Sequence, residues 1–227
     1  MSSDLFIEWN PWHGCTKISP GCKYCYVYRQ DEMYGSQTAS SECRKTLAYN
    51  LPIKKKRDGS YKIPSGKMIF TCFTSDFLLK DADEWRSECW LMIRERQDCL
   101  FYFFTKRIDR FCDCIPDDWG DGYENVLVGC TVENQTMADY RLPIFLEAPI
   151  KHKSITMAPL LEKIDISNYL NETIDNVFSY RKFETDWKGD VAHNEGYDEI
   201  YNTDGTLLAT INYSFDAETN TWVVVEE

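Results

Sequence analysis

Two hydrophobic patterns divide the chain. Between residues 68 and 157, unbroken apolar runs alternate with stretches in which apolar residues recur every three or four positions. Met68-Ile69-Phe70-Thr71-Cys72-Phe73, Leu100-Phe101-Tyr102-Phe103-Phe104, Val126-Leu127-Val128-Gly129-Cys130 and Lys153-Ser154-Ile155-Thr156-Met157 predict four strands. Asp83 to Gln97, with Trp85, Cys89, Met92 and Ile93 on one face, predicts a helix. A second helix carries Ile108, Phe111 and Cys112, and Asn134 is placed to cap a third. Leu5 to Trp9 adds a strand at the start, and Ile174-Asp175-Asn176-Val177-Phe178 a weak sixth. Tyr24 to Tyr34 reads as a helix that stops at Gly35. Strands apolar along their whole length, alternating with helices, belong to a parallel sheet covered on both faces.

The second pattern is antiparallel. Ile53 to Pro64 predicts a hairpin turning at Asp58-Gly59. Its cations, Lys54, Lys55, Lys56, Arg57 and Lys62, read as protection of a sheet edge rather than as a phosphate-contacting flap. Glu199-Ile200-Tyr201, Leu207 to Phe215 and Thr221 to Val225 predict strands joined by turns at Asp204-Gly205 and at residues 217–220. The alternation of strand and helix ends there. We therefore divide the chain into a body, residues 1–179, and a β-rich appendage, residues 180–227.

Charge sharpens that division. Residues 184–227 hold eleven of the 37 acids and one of the 25 bases, so the net charge of −12 leaves residues 1–183 at −2. The acidity belongs to the appendage, which would cover an open side of the body or bind a protein partner. The nearly neutral body remains compatible with an anionic or nucleotide-like substrate. Ten cysteines, no charged n-region at Met1-Ser2-Ser3-Asp4 and no apolar run of membrane-spanning length point to a reducing cytoplasm and no membrane. Cys72, Cys89, Cys99 and Cys130 lie inside apolar patterns and read as small core residues.

The chemistry concentrates in Trp9-Asn10-Pro11-Trp12-His13-Gly14-Cys15-Thr16-Lys17-Ile18-Ser19-Pro20-Gly21-Cys22-Lys23-Tyr24-Cys25-Tyr26, directly after the first strand. Cys15, Cys22 and Cys25 form a C-x6-C-x2-C set. Glycines before Cys15 and Cys22 would let backbone approach a bulky inorganic group, and Pro11 and Pro20 stiffen the loop. A structural zinc site would need a fourth ligand, and His13 is the nearest. A four-iron cluster held by three cysteines keeps one iron open for another ligand. Polar residues also gather after the later strands: Ser75-Asp76, Thr105-Lys106-Arg107 and Glu133-Asn134. Loops at the carboxyl ends of the strands are where α/β barrels carry their chemistry.

At these residues the chain resembles a variant of the radical SAM motif, with six residues in the first gap where the common motif has three. More closely, it is similar to a phage-associated, radical-SAM-like family of unknown function. The matching residues are Trp9-Asn10-Pro11, Gly14-Cys15, Lys17, Ser19, Gly21-Cys22, Cys25-Tyr26, Ser75-Asp76, Thr105-Lys106-Arg107, Val132-Glu133-Asn134 and Pro159-Leu160-Leu161. They span about residues 5–170. The resemblance implies a partial (β/α)6 barrel of the TIM type, a [4Fe-4S] cluster on Cys15, Cys22 and Cys25, and S-adenosylmethionine cleaved to a 5′-deoxyadenosyl radical. It implies no substrate or product. The chain departs from the family at Ala158, where a glutamate usually precedes Pro-Leu-Leu. It departs again at Ser179-Tyr180-Arg181-Lys182, where a Gly-Gly-Glu-Ser-Gly run is usual, and it lacks a later Phe-Lys-Gln segment.

The same resemblance suggests roles around the cluster. Tyr24 would pack near the adenine, or serve only helix packing. Ser75 and Asp76 would hold the methionine ammonium, or cap a helix. Lys106 and Arg107 would meet a carboxylate or phosphate, or begin a solvated helix. Glu133 would bind a ribose or a cation. Cys112 and Cys114 read as an incidental pair. Two functions follow as expectations: a radical SAM-type enzyme, or a non-catalytic metal-binding (zinc or Fe–S) or interaction protein on the same barrel.

Overall fold

The computed structural model describes residues 6–23, 25–36, 38–180, 195–201, 207–216 and 221–225. In chain order the first elements are β1 (Phe6–Trp9), β2 (Trp12–His13), α1 (Tyr26–Met33), β3 (Arg44–Lys45), β4 (Met68–Thr71), α2 (Asp83–Glu95) and β5 (Leu100–Thr105). There follow α3 (Phe111–Cys114), β6 (Val126–Thr131), α4 (Gln135–Glu147), β7 (His152–Met157), β8 (Ile174–Tyr180), β9 (Glu195–Tyr201), β10 (Leu207–Asp216) and β11 (Thr221–Val225). The chain is mixed α/β. Its main sheet has the order β1-β4-β5-β6-β7-β8-β9-β10-β11, and β2 pairs β3 in a separate antiparallel ribbon. Pairing from β1 to β8 is parallel throughout.

Six parallel strands in unbroken sequential order fix where the helices lie. Crossovers between parallel strands are right-handed, so an order that never reverses puts successive helices on the same face. Ile69, Phe101, Phe103, Val128, Cys130, Ile155 and Val177 bury that face. Phe103 meets Trp90 of α2, ring centroids 6.3 Å apart, and Lys153 lies over Phe145 of α4. The opposite face holds an aromatic series. Phe70 packs on Phe73 and Tyr102, and Tyr102 and Phe73 pack on Phe104, at centroid distances of 4.4 to 5.9 Å.

The antiparallel C-terminal strands expected from the sequence form, and they extend the same sheet. β9 pairs β8, β10 pairs β9 and β11 pairs β10, all antiparallel. The expected turns at 204–205 and 217–220, and the stretch just beyond residue 180, lie outside the described residues. No helix among the described residues is long and apolar enough to cross a membrane. The hairpin expected at 53–64 shrinks to one bridge, Lys55 with Tyr61, around Gly59 at φ +86. The helix expected after Arg107 shrinks to a 3-10 turn at Ile108–Arg110 and the four residues of α3. Pro116 is the reason: it drives the preceding Ile115 to extended backbone (ψ 152) and ends the helix.

One buried cation ties the end of α2 to the segment before β4. Arg96 is fully buried, stacks 4.2 Å from the Tyr61 ring centroid, and donates to the carbonyls of Pro52 and Ile63 and to Asp98. Hydrogen bonds from Arg96 hold the Asp98 carboxyl well below the usual carboxylate range. A depressed carboxyl stabilises fully above its unfolded pKa of about 3.9 and loses that contribution as pH falls through its folded value. Asp98→Asn is therefore expected to lower the melting temperature at neutral pH. The variant and wild-type curves should begin to converge below roughly pH 4 and meet only as pH falls through the folded value. Thermal melts across that range check this, and parallel curves would refute it.

Candidate functional site

The cysteine loop leaves β1 at the carboxyl edge of the sheet and is sutured there by side chains from three later connections. Trp9 and Trp12, both 0% exposed, anchor its base. Trp9 Nε1 donates to the carbonyls of Ala48 and Tyr49 at 3.1 and 3.0 Å. Trp12 stacks on Phe77 (5.4 Å, 18°) and donates to the Asp76 carbonyl at 3.3 Å. Asn10 accepts from the Thr74 amide at 3.0 Å, and Ser75 Oγ donates to the Gly14 carbonyl at 2.5 Å.

The two glycines do serve close approach, but to protein. Gly14 sits at φ +94, and a Cβ there would stand 2.2 Å from the Glu42 carbonyl oxygen. A Cβ on Gly21 would stand 3.0 Å from Glu133 Cγ. These positions set the path of the loop before any ligand is considered. Residues Pro20–Cys22 then form a 3-10 turn, and Cys25 is the N-cap of α1.

Asp76 is the hub of the suture. Oδ1 accepts from the Leu78 amide and Thr105 Oγ1, both at 2.9 Å. Oδ2 accepts from the Lys106 amide at 3.1 Å and from Arg107 Nη1 at 3.0 Å. Arg107 then reaches into the cysteine loop, donating through Nη2 to the Thr16 carbonyl at 2.6 Å and to Thr16 Oγ1 at 3.1 Å. The Asp76 carboxylate thus has four protein donors, and its bond to the Leu78 amide closes a local turn, not the helix cap weighed for it: the helical segments that follow have Leu79 and Ala82 as N-caps and no side-chain cap. Ser75 props Gly14. Lys106 Nζ donates to the Ala158 carbonyl at 3.2 Å, bridging the ends of β5 and β7. Glu133 is fully buried, pairs with Arg141 at 2.7 Å and accepts from the Gly21 amide at 3.3 Å.

Ser75, Asp76, Lys106 and Glu133 are therefore gathered around the loop and its props. Tyr24 lies outside the described residues. Sequence reasoning missed Arg141, the buried partner of Glu133, and Tyr28. It also missed Asp31, which takes His13. Both Asp31 oxygens lie 2.9 Å from His13 Nε2, so that nitrogen is engaged and unavailable as a fourth zinc ligand.

Cys15, Cys22 and Cys25 are free and half-buried. Burial pushes the Cys15 thiol up to about 12, against the pull of Arg107. Burial, and then the proximity of Cys15, Cys25 and Cys22, raises the Tyr28 hydroxyl, which donates to the Cys15 carbonyl at 2.5 Å. Among the described residues, no group of three or more His, Cys, Asp or Glu side chains is arranged to hold a metal ion. Thiols are the donor type that ligates iron–sulfur groups, and this loop carries three of them, unbridged.

No curated protein and no solved structure gives a significant match to the chain. One family model matches residues 6–225, nearly the whole length, and it is described as a protein of unknown function, DUF5131. The chain belongs to this family.

Proposed function

We propose that the chain is a radical SAM-type enzyme of the reducing cytoplasm, built on a partial (β/α)6 barrel. The observation that carries the reading is the position of the cysteine loop. Three free, half-buried thiols stand at the carboxyl edge of six sequentially ordered parallel strands. That order suits a singly wound barrel, since a doubly wound sheet reverses direction at its middle. The aromatic series Phe70, Phe73, Tyr102 and Phe104 would line the interior of such a barrel. Ten free cysteines suit a reducing compartment.

Cys15, Cys22 and Cys25 would hold a [4Fe-4S] cluster, which supplies reductive cleavage of the sulfonium bond of S-adenosylmethionine when both are bound. The surrounding residues position the loop. Arg107 fixes Thr16 through Asp76, Ser75 fixes Gly14, and Glu133 fixes Gly21. Buried Trp9 and Trp12 keep water from the base of the loop.

The second reading is a non-catalytic metal-binding or interaction protein on the same frame. It is favoured by the engagement of the Asp76 and Glu133 carboxylates with protein donors, and by Ala158 where a further carboxylate is usual. The deciding experiment is anaerobic reconstitution with iron and sulfide, followed by S-adenosylmethionine and a strong reductant. The enzyme reading expects slow release of 5′-deoxyadenosine without added substrate. An intact cluster, with no calorimetric cofactor binding and no 5′-deoxyadenosine, would replace it with the second reading.

A further inference from the structure

A cavity of about 440 Å³ opens on the outer side of the cysteine loop, between the loop, α1 and the segment that follows it. Its lining includes Lys17, Lys23, Cys25, Arg29, Asp31 and Ser40. The volume lies within the range of small-molecule sites, roughly 300–1,000 Å³. Three of the lining residues are cationic. Lys17 is held in place: its ammonium lies 4.3 Å from the Tyr28 ring centroid and donates to the Lys23 carbonyl at 3.0 Å.

The negative charge on the lining is partly committed elsewhere. Asp31 gives both oxygens to His13. Glu32 is exposed on α1. Arg29 is in the opposite condition. Its Nε is buried with no hydrogen-bond partner among the described residues. A buried guanidinium donor without an acceptor is destabilising, and an anionic oxygen is the acceptor that relieves it best. Guanidinium and ammonium groups on one lining suit a phosphoryl group, with several acceptor oxygens, better than a single carbonyl.

We propose that this cavity binds the phosphoryl group of a small molecule. A nucleic acid fits less well: the chain carries a net charge of −12, and the exposed cations Lys55, Lys56 and Arg57 lie in the 53–64 segment, outside this lining. The cavity shares Cys25 with the cluster proposed above, but its probes need no cluster and no reductant, so failure of one reading is distinguishable from failure of the other.

The test is calorimetric titration of the full-length chain, as purified, with inorganic phosphate, pyrophosphate and AMP at low salt. Saturable binding of phosphate and pyrophosphate is expected. Tighter binding of AMP than of inorganic phosphate would identify a nucleotide, and equal binding a phosphoryl group alone. Arg29→Gln is expected to weaken pyrophosphate binding at least about fivefold, consistent with loss of a charge-assisted hydrogen bond. Lys17→Gln, a second variant on a different element, should weaken it in the same direction, and Lys56→Gln should leave it unchanged. Three results would overturn the proposal: no saturable binding by the wild-type chain, a smaller change for a folded Arg29→Gln variant, or an equal loss for Lys56→Gln.

Discussion

Cys15→Ala, Cys22→Ala and Cys25→Ala are each expected to abolish stable iron loading, while Cys89→Ala should load as the wild type does. The wild-type chain, reconstituted without oxygen, should carry about four irons with matching labile sulfide, the content of one [4Fe-4S] cluster. The contrast comes from placement. The first three thiols are half-buried in one loop, whereas Cys89 is fully buried on α2 within the hydrophobic core. Replacing Cys89 removes a small core group, and its effect belongs to stability. Iron and sulfide analysis with visible absorption measures the outcome. Stoichiometric zinc without labile sulfide would refute the cluster and would require a fourth ligand other than His13 Nε2.

The second large effect is expected at Arg107. Arg107→Met should destabilise the fold by about 3–5 kcal/mol, because it leaves the Asp76 carboxylate buried without its ion-pair partner. The Arg107 and Asp76 side chains are 8% and 6% exposed, so solvent gives little screening. The same substitution removes both hydrogen bonds to Thr16, and iron loading should fall although every cysteine is intact. Denaturant unfolding gives the first number and iron analysis the second. Asp76→Asn combined with Arg107→Met should recover part of the stability lost in Arg107→Met alone, since the buried charge is then gone. A stability change below about 1 kcal/mol in Arg107→Met would show the pair to be dispensable.

The parallel strands were legible because buried strands leave apolar runs, clearest at residues 100–104 and 126–130, and interrupted by Glu8 in the first strand and by Lys153, Ser154 and Thr156 in the fifth. The location of the site was legible for the same reason, since polar clusters follow each run. What Asp76 and Glu133 do there was not. A carboxylate after a strand reads the same whether it awaits a ligand or is already satisfied by protein, and the donors that satisfy these two lie 31 and 8 residues away. Buried Arg96 and Arg141 were hidden in the same way, since an arginine in sequence reads as solvated until its acceptors are known, whereas Arg107 was expected to meet a carboxylate or phosphate and its partner is the protein's own Asp76. The glycines of the loop drew attention for the right property, close approach, but their neighbours are Glu42 and Glu133. The C-terminal strands were readable from their alternation. Their joining to β8 was not, because strand pairing depends on partners rather than on local pattern.

The reach of Arg107 also bears on when the loop can take its shape. Its bond to Thr16 spans 91 residues, and the Trp12 bond to Asp76 spans 64. During synthesis the three cysteines emerge long before the groups that hold their loop, and contacts of such separation close late. Assembly of the loop therefore waits for β5 and the turn after it, and then for β6, since Glu133 beyond that strand fixes Gly21. A metal delivered to the nascent N-terminal segment would meet thiols on open chain, so loading belongs after folding, on a loop the rest of the body has already positioned.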